Sequence, residues 1–194
     1  MGLEFDHVDA WTMFVEGDPE TAGRAAAAHA IGNAQRPVPK RQAAAIESTM
    51  VDLARARDEF DAHDFFALTS DAPIVEVLAY TIVRYERGPD AAERAVDDSL
   101  AALPNRTGTP DVSTPSTGLG TATRILDHVD LPPASRWGRP RPATFIRWVQ
   151  PIPQLTDPVT AVLTTVIPRR THESFVAPLV DQFAMGLVVT PEGA

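Results

Sequence analysis

No cysteine occurs in the 194 residues. Disulfides, thiolate catalysis and cysteine-ligated zinc or iron–sulfur centres are therefore excluded for this chain, while the compartment stays open. Lysine is nearly absent: sixteen arginines stand against the single Lys40. With many alanines and prolines, that bias reads as the codon usage of a high-GC genome. An excess of basic charge is missing too, since the net charge is -9 and the pI about 4.9. Duplex nucleic acid demands a basic footprint and an anionic membrane attracts basic segments, so neither is an expected partner. No run approaches the roughly 18 apolar residues of a spanning helix. The stretch MGLEFDHVDAW has neither a basic n-region nor an apolar segment, and Asp6 stands where myristoylation after Gly2 requires Ser or Thr. The expectation is a soluble, cytoplasmic protein.

Signatures of chemistry are also missing. His7, His29, His63, His128 and His172 form no HxxxH, HxH or HExxH motif. Asp127 and Asp130 flank His128, yet a surface loop explains them better than a metal site does. Nucleophilic catalysis needs a nucleophile beside a base and an orienting acid, and none of the serines sits in GxSxG. Gly118-Leu-Gly120 lacks a third glycine and leads into a strand, so it reads as a tight turn and not as a phosphate cradle. The acids Asp58, Glu59, Asp61 and Asp64 near a helix end read as a solvated face. No cofactor and no metal are expected, and the chain is read as a non-enzyme.

What is present is an ordinary globular composition, 44% apolar and 22% charged. A chain of this length buries about 70% of its unfolded surface, and one domain over residues 1–194 is expected. Its organising stretch is Ile74–Tyr85, IVEVLAYTIVRY. Both faces of this strand are mostly apolar, as in a strand covered on both sides. Before it come a strand at His7–Val15, a helix capped by Asp18-Pro19-Glu20 and ending at Gly32, a longer helix from Lys40 to Ala62 with Ile46, Met50, Leu53 and Phe60 on one stripe, and a strand at Phe65–Thr69. Ser70–Pro73 turns the last of these into Ile74–Tyr85. After it come a helix at Asp90–Leu103, a loop over 104–117, and strands at Gly118–Val129, Thr144–Ile152 and Pro158–Ile167. A final helix spans Thr171–Leu187, with Phe175, Leu179, Phe183 and Leu187 aligned, and a tail covers 188–194. Pro178 either kinks that helix or marks its first turn, with Ser174 as N-cap. The order predicts an α+β fold: a mostly antiparallel central sheet of about six strands with helices on its faces.

Several segments carry a resemblance in sequence order: Ile74–Val83, Leu100–Leu103, Gly118 through Arg124, Phe145-Ile-Arg-Trp-Val-Gln-Pro-Ile-Pro153, Ala161–Val166 and Phe175–Leu187. Over about two-thirds of its elements the chain resembles uncharacterised actinobacterial proteins similar to the LpqN, PsbP and Mog1 group of α/β/α sandwiches. The resemblance implies that sandwich fold and a non-enzymatic accessory role, and carries no functional residue over.

One stretch stands out against the acidic background. The arm over 131–142 holds Arg136, Trp137, Arg139 and Arg141, with Arg147 and Trp148 following. Arginine and tryptophan are enriched at protein–protein hot spots, and prolines limit the entropy lost on docking. These six residues are the expected partner-binding set, against the alternative of a loop that pairs with the chain's own acid. The expected function is a binding or assembly component, with a protein partner or a homo-oligomer. The alternatives are a binder of a small apolar ligand near Met50, Tyr80 and Trp148, and a hydrolase whose triad is not visible in the sequence.

Overall fold

The structure, a computed structural model, describes residues 2–6, 10–60, 62–70, 75–101, 103–133, 138–154 and 158–190. In chain order the elements are β1 (Gly2–Phe5), β2 (Trp11–Met13), α1 (Pro19–Gly32), α2 (Lys40–Glu59), β3 (Asp64–Thr69), β4 (Val77–Arg87), α3 (Ala91–Leu100), β5 (Asp111–Ser113), β6 (Ser116–Thr117), β7 (Gly120–Thr121), β8 (Thr123–Leu131), β9 (Arg141–Ile152), β10 (Val159–Ile167), α4 (Glu173–Met185) and β11 (Leu187–Thr190). A 3-10 turn, Arg170–His172, leads into α4. The class is α+β, as expected, with seven strands in the main antiparallel sheet and two further sheets of two strands each. The chain gathers into two compact units: Val8–Ile82, and Met1–His7 with Val83–Ala194.

In the unit Val8–Ile82, α1 starts as its sequence dictates. The Asp18 carboxylate accepts from the Thr21 N–H at 3.0 Å, and Pro19 fills the first helical position. That bonding holds the Asp18 carboxyl below its ordinary pKa. Gly32 is the last helical residue and Asn33 the cap, one residue beyond the expected end. The buried face of α1 is Ala22, Gly23, Ala26, Ala27 and Ala30. Such small side chains add little volume but let backbones approach. A Cβ placed on Gly23 would lie 2.5 Å from the Val51 Cα on α2. Ile46, Met50 and Ala54 of α2 fill the space left and share a core with Phe14, Phe65, Ala67, Val75 and Ile82. The Phe65 ring meets Phe14 edge-on, centroids 5.0 Å apart, and stacks on Tyr80. Phe60, expected on the buried stripe, is instead the exposed cap of α2. It comes after the last helical turn and no longer follows the helical period.

Strands β2 and β3 pair antiparallel, Trp11 opposite Leu68. The expected first strand is thus shorter, and its start at residues 7–9 lies outside the described residues, as do residues 71–73 of the expected turn and residue 74, the expected start of the central strand. That turn is closed by Ser70, whose N–H donates to the Glu76 carbonyl while its hydroxyl accepts from the Glu76 N–H. Val75, Leu78, Ala79, Thr81, Ile82 and Val83 are all buried, so both faces of β4 are covered, as its composition implies.

In the unit completed by Val83–Ala194 the strand order is β10-β9-β8-β5. Trp148 lies opposite Arg124 of β8 and Leu163 of β10. One sheet face takes α3: Ala95 packs with Val149 and Val162, joined by Ala92 and Val96. The opposite face takes α4, which buries Val176, Val180, Phe183 and Ala184. The expected stripe of α4 is therefore corrected. Phe175 and Leu179 face solvent, only Phe183 is buried from within the helix, and Leu187 belongs to β11. Pro178 sits inside the helix on its exposed side, and His172 takes the N-cap position in place of Ser174.

Three further expectations shift. The loop over 104–117 contains β5, where Val112 pairs with Ile125, and β6, which forms a hairpin with β7 around Gly118-Leu119. Gly120 there has φ +120, the left-handed region that favours glycine, in keeping with the expected tight turn. The arm is shorter than 131–142, because Leu131 ends β8 and Arg141 opens β9. The tail is a strand up to Thr190: β11 pairs antiparallel with β1, Gly2 opposite Thr190 and Phe5 opposite Leu187. Residues 155–157 and 191–194 lie outside the described residues.

Candidate protein-contact face

Of the six residues expected to bind a partner, Arg136 and Trp137 lie outside the described residues. Arg139 and Arg141 are exposed, and the Arg141 Nε donates to the Pro132 carbonyl at 3.3 Å. Arg147 and Trp148 are corrected: at 8% and 2% exposure they are interior side chains. The pleat of β9 explains both. Successive residues point to opposite faces, so Arg147 enters the α3 side and Trp148 the α4 side.

Arg147 joins a buried cluster. Its Nη1 donates to the Ser99 carbonyl at 2.8 Å and to Asp127 Oδ2 at 3.3 Å. Arg106 reaches the same carboxylate, Nη2 donating to Oδ2 at 3.0 Å, while its Nε lies 2.7 Å from Oδ1, close enough for an ion pair but outside hydrogen-bond geometry. Arg106 also donates to the Leu100 and Ala101 carbonyls. The last turn of α3 carries Asp97 and no basic residue of its own. Two guanidinium groups from elsewhere in the unit thus supply the cations its C-terminus favours. Burial pushes the Arg147 pKa down, and the Asp127 charge opposes that shift. The cluster is structural: it ties α3 to β8 and β9.

The opposite face is tied by two polar clasps. Asp181 of α4 accepts from Arg124 Nε at 2.7 Å and from the Trp148 indole N–H at 3.1 Å. Two turns earlier, Glu173 accepts from the Thr144 hydroxyl at 2.6 Å and lies 2.8 Å from His128 Nε2. Arg170 Nη2 stands 3.0 Å from His128 Nδ1. A guanidinium has only donors, so Nδ1 accepts and Nε2–H donates to Glu173, which fixes the neutral ring in one tautomer. Burial pushes the Glu173 pKa up, but the bonds from Thr144 and His128, with the charge of Arg170, more than reverse this and leave it below the ordinary value.

The spacings match. Eight residues of helix rise about 12 Å, and four residues of strand about 13 Å. Glu173 and Asp181 on the helix therefore fall in step with Thr144 and Trp148 on β9, and with His128 and Arg124 on β8. This repeat was the signal in the sequence that could have revealed the clasps, and with them the rotation of α4.

The clasps turn both ionisable side chains of α4 toward the sheet. What remains outside is Ser174, Phe175, Pro178, Leu179, Gln182 and Met185. At 3.6 residues per turn, the last five lie within about 120° of one another around the helix. Phe175 is 50% exposed, Met185 45% and Leu179 37%. On a chain of net charge -9, one helix thus presents a face with no ionisable group and three large apolar side chains. Scattered exposed apolar residues are ordinary, whereas a concentrated patch marks a contact site.

Among the described residues no helix is long and apolar enough to cross a membrane, and no group of three or more His, Asp or Glu is placed to hold a metal ion. No protein-family model, no curated protein and no solved structure matches the chain.

Proposed function

We propose that this chain is a non-catalytic binding or assembly component that works through protein–protein contact. The observation that carries the reading is the outward face of α4, free of ionisable groups and rich in exposed apolar side chains. The polar chemistry of its unit supports it. Both nitrogens of His128 and the Asp127 carboxylate are engaged in holding helices to the sheet, and the Ser99 hydroxyl donates to the Ala95 carbonyl within α3. Arg139 and Arg141 are an exposed basic pair that suits an acidic partner surface. A soluble, cytoplasmic accessory role, in line with the Mog1/PsbP-like resemblance, belongs to the same proposal.

The test is capture from an extract of the native cell on immobilised chain, wild type against Leu179→Glu. Because Leu179 is exposed, the variant is expected to keep the wild-type Tm within a few degrees and to lose the captured protein. The same captured set on both baits refutes the reading for this face.

A further inference from the structure

The His128 clasp can do more than hold α4 to the sheet. We infer that it is a proton-operated switch: the neutral ring grips Arg170, and a ring that takes a second proton releases Arg170 while keeping Glu173. The switch does not depend on what the outward face of α4 binds.

The ring has two partners of opposite charge, one on each nitrogen. Glu173 Oε2 lies 2.8 Å from Nε2, and Arg170 Nη2 lies 3.0 Å from Nδ1. A guanidinium has donors only, so the second bond exists only while Nδ1 carries no proton. Imidazole is the side chain that ordinarily changes charge between about pH 5 and pH 8. A proton added at Nδ1 sets one N–H against another and one cation against another. Arg170 is exposed on a three-residue turn, so its side chain can swing into water. Glu173 is held: the same Oε2 accepts from the Thr144 hydroxyl at 2.6 Å, and the residue opens α4. Its bond to the charged ring becomes charge-assisted, the stronger kind. The Glu173 carboxyl titrates below its ordinary range, so it faces the ring as a carboxylate throughout that interval.

The other charged groups around the ring leave this exchange intact. On β8, side chains alternate in burial, which places Arg124 and Asp130 on the same face as His128. Arg124 is already held by Asp181 of α4. On β9, uncharged Thr144 lies opposite His128, and Arg141 stands at the start of the strand. Thr107, which donates its N–H to the His128 carbonyl from the other side of β8, carries no charge. Arg169 precedes the turn and His172 closes it. Among the described residues, Glu173 and Arg170 are the two that reach the ring nitrogens. A proton on the ring is thus read out as a guanidinium released where the chain enters α4.

Nuclear magnetic resonance of the isotope-labelled full chain, titrated from about pH 8 to about pH 5, tests the switch. His128→Gln identifies the ring signals and Arg170→Lys those of the guanidinium. At the alkaline end the proton is expected on Nε2, with none on Nδ1. As pH falls, Nδ1 gains its proton and the Arg170 signal moves with the same midpoint. Arg170→Ala and Arg170→Gln remove the opposing cation, so each is expected to take up the ring proton about three- to tenfold more readily than wild type. Glu173→Gln removes the favouring anion and is expected to take it up less readily by a similar factor. Circular dichroism checks that each variant is folded, and the wild-type tautomer and shared midpoint decide the matter if one is not. A proton on Nδ1 at the alkaline end, an Arg170 signal that stays still while the ring titrates, or folded Arg170 variants that bind the proton no more readily than wild type overturns the switch.

Discussion

Replacing Gly23 by alanine is the sharpest test of how α1 meets α2. In an ordinary exposed helix the change gains up to about 1 kcal/mol of propensity. Here the added Cβ would stand 2.5 Å from Val51 Cα, 2.7 Å from Val51 N and 2.9 Å from Met50 C. Carbon atoms rest about 3.5–4.0 Å apart, so the contact is short by about 1 Å, and the atoms in the way are backbone that cannot rotate aside. The helices have to separate by roughly that amount. A gap of 0.5–1 Å forfeits about a quarter to a half of each dispersion contact, here along the line Ala22, Ala26, Ala27 and Ala30. Overpacking of this kind costs about 1–3 kcal/mol. Set against the propensity gain, the net loss is up to about 2 kcal/mol, a drop in Tm of up to roughly 8 °C at this chain length. Gly32, at the exposed end of the same helix, has nothing within 4 Å of a built Cβ. Gly32→Ala is therefore expected to raise Tm slightly, by the propensity gain alone. Thermal unfolding of both variants by far-UV circular dichroism decides the matter. If Gly23→Ala is as stable as Gly32→Ala, the close crossing is wrong and the alanine face of α1 needs another explanation.

Two other perturbations address the sheet faces. Asp127→Asn leaves Arg106 and Arg147 facing each other without their carboxylate, and removing one member of a buried ion cluster costs about 3–5 kcal/mol; urea unfolding should show that loss, and a loss under 1 kcal/mol would remove the cluster from any structural role. Glu173 has a folded pKa below its ordinary value of 4.5. Its contribution is thus complete above the unfolded pKa and disappears as pH falls through the folded one. Glu173→Gln should consequently lower stability at pH 7 and flatten its decline as pH falls below the ordinary 4.5; an unchanged acid limb refutes the clasp.

Local signals were the legible part of this fold. Asp18-Pro19-Glu20 starts a helix because a carboxylate and a proline suit the first turn whatever surrounds them. The two apolar faces of β4 likewise announce burial without saying by what. The sequence misleads about the rotation of α4 because Phe175, Leu179 and Phe183 are large residues at helical spacing, and Leu187 beyond the helix continues that spacing. Size alone does not choose the inner face: Glu173 and Asp181 found partners on the sheet, and smaller Val176, Val180 and Ala184 turned inward with them. The Arg106–Asp127–Arg147 cluster joins residues some 20 apart in sequence, and only the register of β8 and β9 brings them together. Arg147 and Trp148 looked like surface anchors because a strand that is buried on both faces can still hold a guanidinium and an indole when each has an internal acceptor.

The pairing of β1 with β11 bears on the order in which the chain can fold as it is made. Gly2–Phe5 is made about 180 residues ahead of its partner, Leu187–Thr190. Residues Val8–Ile82 complete a compact unit of their own long before that point. The first strand therefore waits with an open edge while the intervening residues are made, and among the described strands this pair closes the longest loop. Over that interval its edge stays within reach of a chaperone or a neighbouring nascent chain.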